Sequence, residues 1–345
     1  MRQTTAFAPG RVNTIGEHTD YNGGLCLPFA CGRGVTVTAE PVAGDAVEVH
    51  AAAVGERDRF PLEAAAPASG WRAYVRGIAT ELRAAGHVLV PAKVEITSTL
   101  PLGGGLASSA ALTIACGLAL LEVAGAPSPP PTTLACMCAR VERRWAGADT
   151  GLLDQLAILS ARPGHAVLLD LSRDGDAAAV RHVPLALPGW SLQLFDSGAR
   201  HDHAKGSYNA RRTECRRACE LLGIEALSRA GPADAAGLPA PLDRRARHVL
   251  TENSRVGRMV DALDHWDPEE VGRLLDEGHA SLRDDFDASV PAVEETVARV
   301  RAAGARGARL VGGGFGGHVL ALFPPGAEPP PGAIALAAEG RVRVT

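Results

Sequence analysis

The sequence predicts an α+β protein of two domains. Three observations carry that expectation. Strand-like alternation marks the first third of the chain, helix-period runs fill most of the second half, and between Ser172 and Pro188 charge and glycine replace the apolar pattern. At 345 residues, 46% hydrophobic and 21% charged, the chain is globular in composition and long enough for two cores. The expected division is 1–180 and 187–345.

Taken in order, Phe7 gives an apolar entry to a dense polar segment, Arg11 to Gly24, where Arg, Glu, His and Asp crowd more closely than in an ordinary connector. Val35–Thr38 and Val47–His50 alternate as strands of a mostly antiparallel sheet. Trp71–Ala85 reads as a helix ended by Gly86, and Lys93–Ser98 as a half-buried strand. Pro127–Pro131 breaks the chain, after which Thr132 or Thr133 can cap a helix to about Trp145. Leu152–Leu159 is helical and Ala166–Leu171 a strand. The second half opens with the strand Ser191–Phe195. Helices follow around 208–222, 242–263, 268–284 and 290–303, then a glycine-rich pair of strands across Leu310–Phe323 and a proline-rich exposed loop from Pro324 to Gly332.

One stretch organises the chain. Pro101 to Leu112 joins a strand to an uncharged helix through Gly103, Gly104 and Gly105, then Leu106 and Ala107, and then Ser108 and Ser109. Adjacent glycines let backbone N–H groups approach an anion, and the serines stand where a helix begins, the place for an N-cap and for the positive end of the helix dipole. No lysine follows the glycines, so this is not a P-loop; Ser108 holds the last glycine position of a dinucleotide fingerprint, so it is not that either.

Composition narrows the function. A formal net charge of -4 leaves no basic footprint for nucleic acid. The N-terminus has no signal-peptide core, and the longest uncharged apolar run, Leu112–Leu121, falls short of the ~20 apolar residues that span a bilayer. A soluble cytoplasmic protein is expected, with no membrane partner, as a monomer or weak homo-oligomer. The seven cysteines are odd in number and read as reduced thiols. Cys136/Cys138 and Cys215/Cys219 lack the partners of a zinc site, and His201-Asp202-His203 reads as a solvated loop.

Three separated segments resemble one family. Arg11-Val12-Asn13-Thr14-Ile15-Gly16-Glu17-His18-Thr19-Asp20-Tyr21-Asn22 looks like the galactokinase signature; Pro101–Leu112 and Gly312–Gly317 resemble the phosphate loop and third motif of the wider GHMP small-molecule kinases. Gly151–Leu156, Tyr208–Arg212, Leu250–Asn253 and Ser281–Phe286 are also similar to galactokinases. The resemblance implies a two-domain GHMP kinase fold, N-terminal half ribosomal-S5-domain-2-like and C-terminal half ferredoxin-like, with the active site in the cleft between them. It implies transfer of the γ-phosphoryl of ATP to the anomeric hydroxyl of galactose, which demands positioning and charge neutralisation more than covalent chemistry.

By the same resemblance Asp154 is the general base and Arg11 the cation that keeps it ionised and stabilises the transferred group. Glu17, His18, Thr19, Asp20, Gly151 and Tyr208 surround the sugar. Gly103 to Ser109 hold the nucleotide, with Trp71 beside adenine, and Ser109 and Glu142 bind Mg²⁺. Departures from the family pattern cluster at the nucleotide end: Ala107 replaces the first of three serines, Arg143 and Ala73 stand where asparagine is usual, and His318 replaces a frequent cysteine. Two rival readings are a 1-kinase for a modified galactose, such as galacturonate or N-acetylgalactosamine, and a non-catalytic sugar and ATP sensor.

Overall fold

Strand β1 (Thr4–Asn13) begins with alternating burial and from Ala8 onward is buried except at Arg11, because it lies in the interior of a sheet that is covered by a helix. The computed structural model describes residues 3–101, 105–148, 150–172, 179–199 and 204–345. The N-terminal half continues with β2 (Leu25–Cys26), β3 (Pro28–Pro41), β4 (Ala46–Ala51), β5 (Glu56–Pro61), α1 (Trp71–Ala84), β6 (Ala92–Ser98), α2 (Ser108–Val123), α3 (Pro131–Trp145), α4 (Leu153–Leu159), β7 (His165–Asp170) and β8 (Ala179–Pro184). The remainder holds β9 (Ser191–Asp196), α5 (Ala204–Leu222), α6 (Pro232–Ala236), α7 (Leu242–Asp264), α8 (Pro268–Asp284), α9 (Pro291–Ala302), β10 (Gly307–Val311), β11 (His318–Phe323), β12 (Ile334–Leu336) and β13 (Arg343–Val344).

The first sheet is six-stranded, in the order β13-β1-β3-β6-β4-β5, with β4 and β6 its parallel pair. Helix α2 is apolar on every side, and its surroundings explain why: it packs on β1 and β3 and is itself covered by α1 and α3. Val12, Phe29, Val37, Ile78, Leu82, Ile114 and Leu120 meet in the core between them. The short sheet β2-β7-β8 carries α4, which it buries through Cys26, Leu156, Ala157 and Val167. In the second half the sheet β10-β11-β9-β12 is entirely antiparallel, and a second core forms where Phe195, Leu310 and Phe323 meet Val249, Leu282 and Phe286 of the helical layer.

Several local expectations need correction. Neither Ser108 nor Ser109 caps α2. The N-cap is Ala107, held in the left-handed region at φ 56°, with Ser108 already in the first turn. Helix α3 starts at Pro131, whose fixed φ suits the first helical position, so it does not use a threonine cap. Strand β5 reads Glu-Arg-Asp-Arg-Phe-Pro and is nearly silent in hydropathy because it is an edge strand that pairs only with β4. The last residues cross back to the first sheet, with Ala6 opposite Val344 and Phe7 opposite Arg343. Two residues of strand carry no readable period.

Candidate active site

β1 delivers Arg11 and Asn13 to the floor of a cavity of about 170 Å³, and the turn after it adds Glu17, His18 and Asp20. The start of α4 supplies Leu153 and Asp154, the residues before it Thr150 and Gly151, α5 supplies Tyr208, and the turn after β10 supplies Gly312 and Gly313. Residues separated by some three hundred positions in sequence therefore share one wall. Arg11 is the hinge of the arrangement: its Nη2 meets Asp154 Oδ1 at 2.6 Å, its Nη1 donates to Gly105 O at 2.6 Å, and its backbone N–H donates to Leu106 O. The two side chains keep only 11% and 22% of their surface exposed, so the pair is more than a solvated surface bridge.

Close approach explains the glycines. A Cβ on Gly151 would stand 2.2 Å from Asp20 Oδ2, and one on Gly313 would stand 3.0 Å from the Tyr208 ring. Gly312, at φ 79°, brings the third glycine segment against Gly105 of the loop, where a Cβ would lie 3.6 Å from Gly105 O. Gly103 and Gly104 lie outside the described residues, as does the His201–His203 segment.

The cavity wall is acidic and largely buried. Burial pushes the Glu17 carboxyl up to about 7, with Arg309 pulling it down and Glu252 pushing it up. Burial, reinforced by Asp154, raises Asp20 to about 6. His18 adopts a left-handed backbone conformation and is buried between Tyr208 and Phe286, 5.4 and 4.5 Å from their ring centres; desolvation lowers it to about 3. It is neutral, and its Nδ1 lies 2.8 Å from Tyr21 Oη. Such a wall presents acceptors and neutral donors, which suits a polyhydroxyl ligand.

Thr19 is a correction: it does not line the cavity. Its fully buried hydroxyl lies 2.8 Å from Gly16 O and 2.7 Å from Leu25 O, so it closes the turn that aims Glu17 and His18. Ser109 and Glu142 do meet. Ser109 Oγ donates to Glu142 Oε1 at 2.9 Å and Thr150 Oγ1 donates to Oε2. Burial, then Asp154, raises the Glu142 carboxyl, against which the Thr150 and Ser109 hydroxyls pull it down. A buried carboxylate beside a hydroxyl is a hard oxygen donor set, which fits Mg²⁺ with the remaining positions left to phosphate and water. Leu106 and Ala107 are buried, Ser108 is exposed, and Arg143 is exposed. Trp71, at the start of α1, donates its indole N–H to Glu56 at 2.8 Å.

Sequence reasoning missed Asn13, Thr150 and Leu153, and it set Gly312 and Gly313 beside the glycine loop without foreseeing that they also line this cavity. Asn13 is buried and its Oδ1 has no hydrogen-bond partner among the described residues, yet inside the polar segment it gave no separate signal. It also missed the layer behind the wall. Glu252 accepts from Gly16 N at 2.8 Å, Asn253 from Leu25 N at 2.8 Å, and His248 Nε2 donates to Glu17 O at 3.1 Å, so α7 holds the polar turn from behind.

Comparison with known proteins gives the family. The model of the galactokinase galactose-binding signature matches residues 2–41, the GHMP kinases N terminal domain residues 73–162, and the GHMP kinases C terminal domain residues 259–339. A galactokinase of Streptomyces coelicolor is 40% identical, covering 91% of this chain and 83% of its own. One from Mycobacterium bovis is 42% identical, covering 92% and 88%. The solved structure of Lactococcus lactis galactokinase complexed with galactose superposes with a TM-score of 0.89 at 25% identity, over 99% of this chain and 95% of that one. Mevalonate kinase of Methanococcus jannaschii shares the fold at 17% identity, with a TM-score of 0.68 over 93% of this chain and 90% of its own. With such identity sustained over nine-tenths of its length, the chain belongs to the galactokinase family of GHMP kinases.

Proposed function

We propose that the protein transfers the γ-phosphoryl group of ATP to the C1 hydroxyl of D-galactose, giving α-D-galactose 1-phosphate and ADP. The observation that carries this reading is the 2.6 Å pair of Arg11 and Asp154 on the wall of the cavity that Glu17, His18, Asp20 and Tyr208 also line. A carboxylate paired to a guanidinium beside a hydroxyl-reading wall is what proton abstraction from a sugar requires. Asp154 accepts the C1 hydroxyl proton as the oxygen attacks phosphorus; the new O–P bond forms as the bond to the leaving ADP oxygen breaks. Arg11 faces the loop through Gly105 O as well as the base, a position from which it neutralises charge on the transferred group.

In this reading Glu17, His18, Asp20, Gly151 and Tyr208 orient the sugar, while Gly103 to Ser109 hold the triphosphate and Trp71 flanks the adenine. Ser109 and Glu142 would hold Mg²⁺, which supplies neutralisation of phosphate charge when bound. Among the described residues no helix is long and apolar enough to cross a membrane. We read the protein as cytoplasmic, a monomer or weak homo-oligomer, divided near residues 172–188.

The test is a panel of sugars incubated with ATP and Mg²⁺ and scored for phosphorylated product. Galactose should give the highest kcat/KM with the phosphate on C1. Preference for galacturonate or N-acetylgalactosamine would reassign the substrate, and binding of galactose and ATP without product would make the protein a sensor.

A further inference from the structure

Strand β10 is buried at every position, and in the middle of its apolar run stands Arg309, with none of its surface exposed. A guanidinium there needs partners, and its two Nη atoms find carbonyl and carboxylate oxygens from both halves of the molecule. Nη1 donates to Thr14 O at 3.0 Å; Nη2 donates to Glu17 Oε2 and, at 3.3 Å, to Glu252 Oε1. Three residues further on, Gly312 N–H donates to the other Glu17 oxygen at 3.2 Å. Glu17 is thus gripped at both oxygens by one stretch of the C-terminal half while it faces the cavity that Arg309 does not itself reach.

We propose that Arg309 is a positioning residue for sugar binding, holding Glu17 as an ionised, correctly turned hydrogen-bond acceptor on the cavity wall. The proposal rests on the reading of that cavity as a galactose site. The chemistry is asymmetric. An ionised carboxylate that spends one bond on Arg309 and one on Gly312 still has lone pairs for sugar hydroxyls, whereas a protonated one has given an acceptor position to its own proton. The charged and titratable groups around Glu17 are Arg11 from β1, Cys26 from β2, Arg309 from β10, and His248, Glu252 and Arg255 from α7. Glu252 is pinned as an anion by Arg309 and Arg255, and burial holds His248 neutral. Glu17 is therefore the member of the group that changes charge near neutral pH, and Arg309 is the strongest influence keeping it ionised.

The test measures kcat and the KM for galactose against pH, with ATP and Mg²⁺, for the full chain and for Arg309→Met, Arg309→Lys and Glu17→Gln. In the unsubstituted chain KM should rise as pH falls through neutrality. Arg309→Met should move that limb upward by at least about one pH unit, which raises KM at pH 7 at least about fivefold, with kcat little changed. Arg309→Lys, a point charge without the fork, should move it by less, and Glu17→Gln should remove it, leaving the lower limb that Asp20 sets near pH 6. A merely structural arginine would lower the active fraction, and hence kcat, without moving the limb. Should Arg309→Met fail to fold, Arg309→Lys decides: a limb identical to that of the unsubstituted chain overturns the proposal, as does a limb that stays in place in Glu17→Gln. Absence of product from the unsubstituted chain overturns the functional reading itself and takes this proposal with it; product with an unmoved limb overturns the proposal alone.

Discussion

Arg11 serves two partners at once, an acid on α4 and a carbonyl of the glycine loop, and in the proposed reaction those are the base and the phosphate side. Asp154→Asn should lower kcat by roughly 10²–10⁴ while calorimetric binding of galactose persists, because the amide keeps the shape and loses the proton acceptor. Near-normal turnover would remove Asp154 from that role. Arg11→Lys should reduce kcat by roughly tenfold or more, since one ammonium cannot bridge Asp154 and Gly105 O as the planar fork does. An unchanged rate would make Arg11 structural.

At the scale of elements, the turns do the aiming. The segment before α4 passes so close to Asp20 that Gly151→Ala must displace its carboxylate, given the 2.2 Å approach of the added Cβ to Oδ2. The expected result is a rise in KM for galactose of roughly tenfold to a hundredfold with kcat less affected, the cost of one charge-assisted hydrogen bond. Equal KM values would show that Asp20 does not contact the sugar. Far from the site, Asp267 caps α8 by accepting from Glu269 N and Glu270 N at 3.1 and 3.0 Å. Asp267→Ala should cost about 1 kcal/mol in a denaturant melt and leave kcat unchanged. The long amphipathic helices were legible because their period repeats over several turns. Expected and observed ranges agree for α8, from Pro268 to Asp284, and nearly so for α7, whereas the edge strand β5 and the two-residue β13 were silent.

The whole molecule stores opposing titrations in one interior, and they set its response to acid. Burial lowers His18 and His248 to about 3 and 4 from an ordinary 6.5, so the stability they contribute is whole above 6.5 and is lost as pH falls through their folded values. Burial raises Glu17 and Asp20 to about 7 and 6 from 4.5 and 3.8, so theirs is whole below those ordinary values and is lost as pH rises. Between about pH 4.5 and 6 the two pairs offset each other. Below about 4.5 the carboxyls have nothing further to gain, the imidazoles keep losing, and Glu252, which Arg309 and Arg255 hold down to about 2 despite its burial, joins the loss. The thermal midpoint should therefore be nearly flat through the weakly acidic range and fall steeply below about pH 4.5. A midpoint that stays level to about pH 3 would contradict this balance.

The sequence alone determined the fold class, the helices of the second half, the glycine loop and the residue types of the site, because each is written locally as a period, a turn residue or a dense polar segment. Tertiary structure alone decided the rest. It turned Thr19 inward to brace its own turn, made Ala107 rather than serine the cap of α2, returned the last strand to the first sheet, and set Arg309 behind Glu17 from the far end of the chain. Burial, and the partner a buried charge finds, are properties of the assembled core. A lone arginine in an apolar strand discloses its meaning only when the opposite carboxylate is in place.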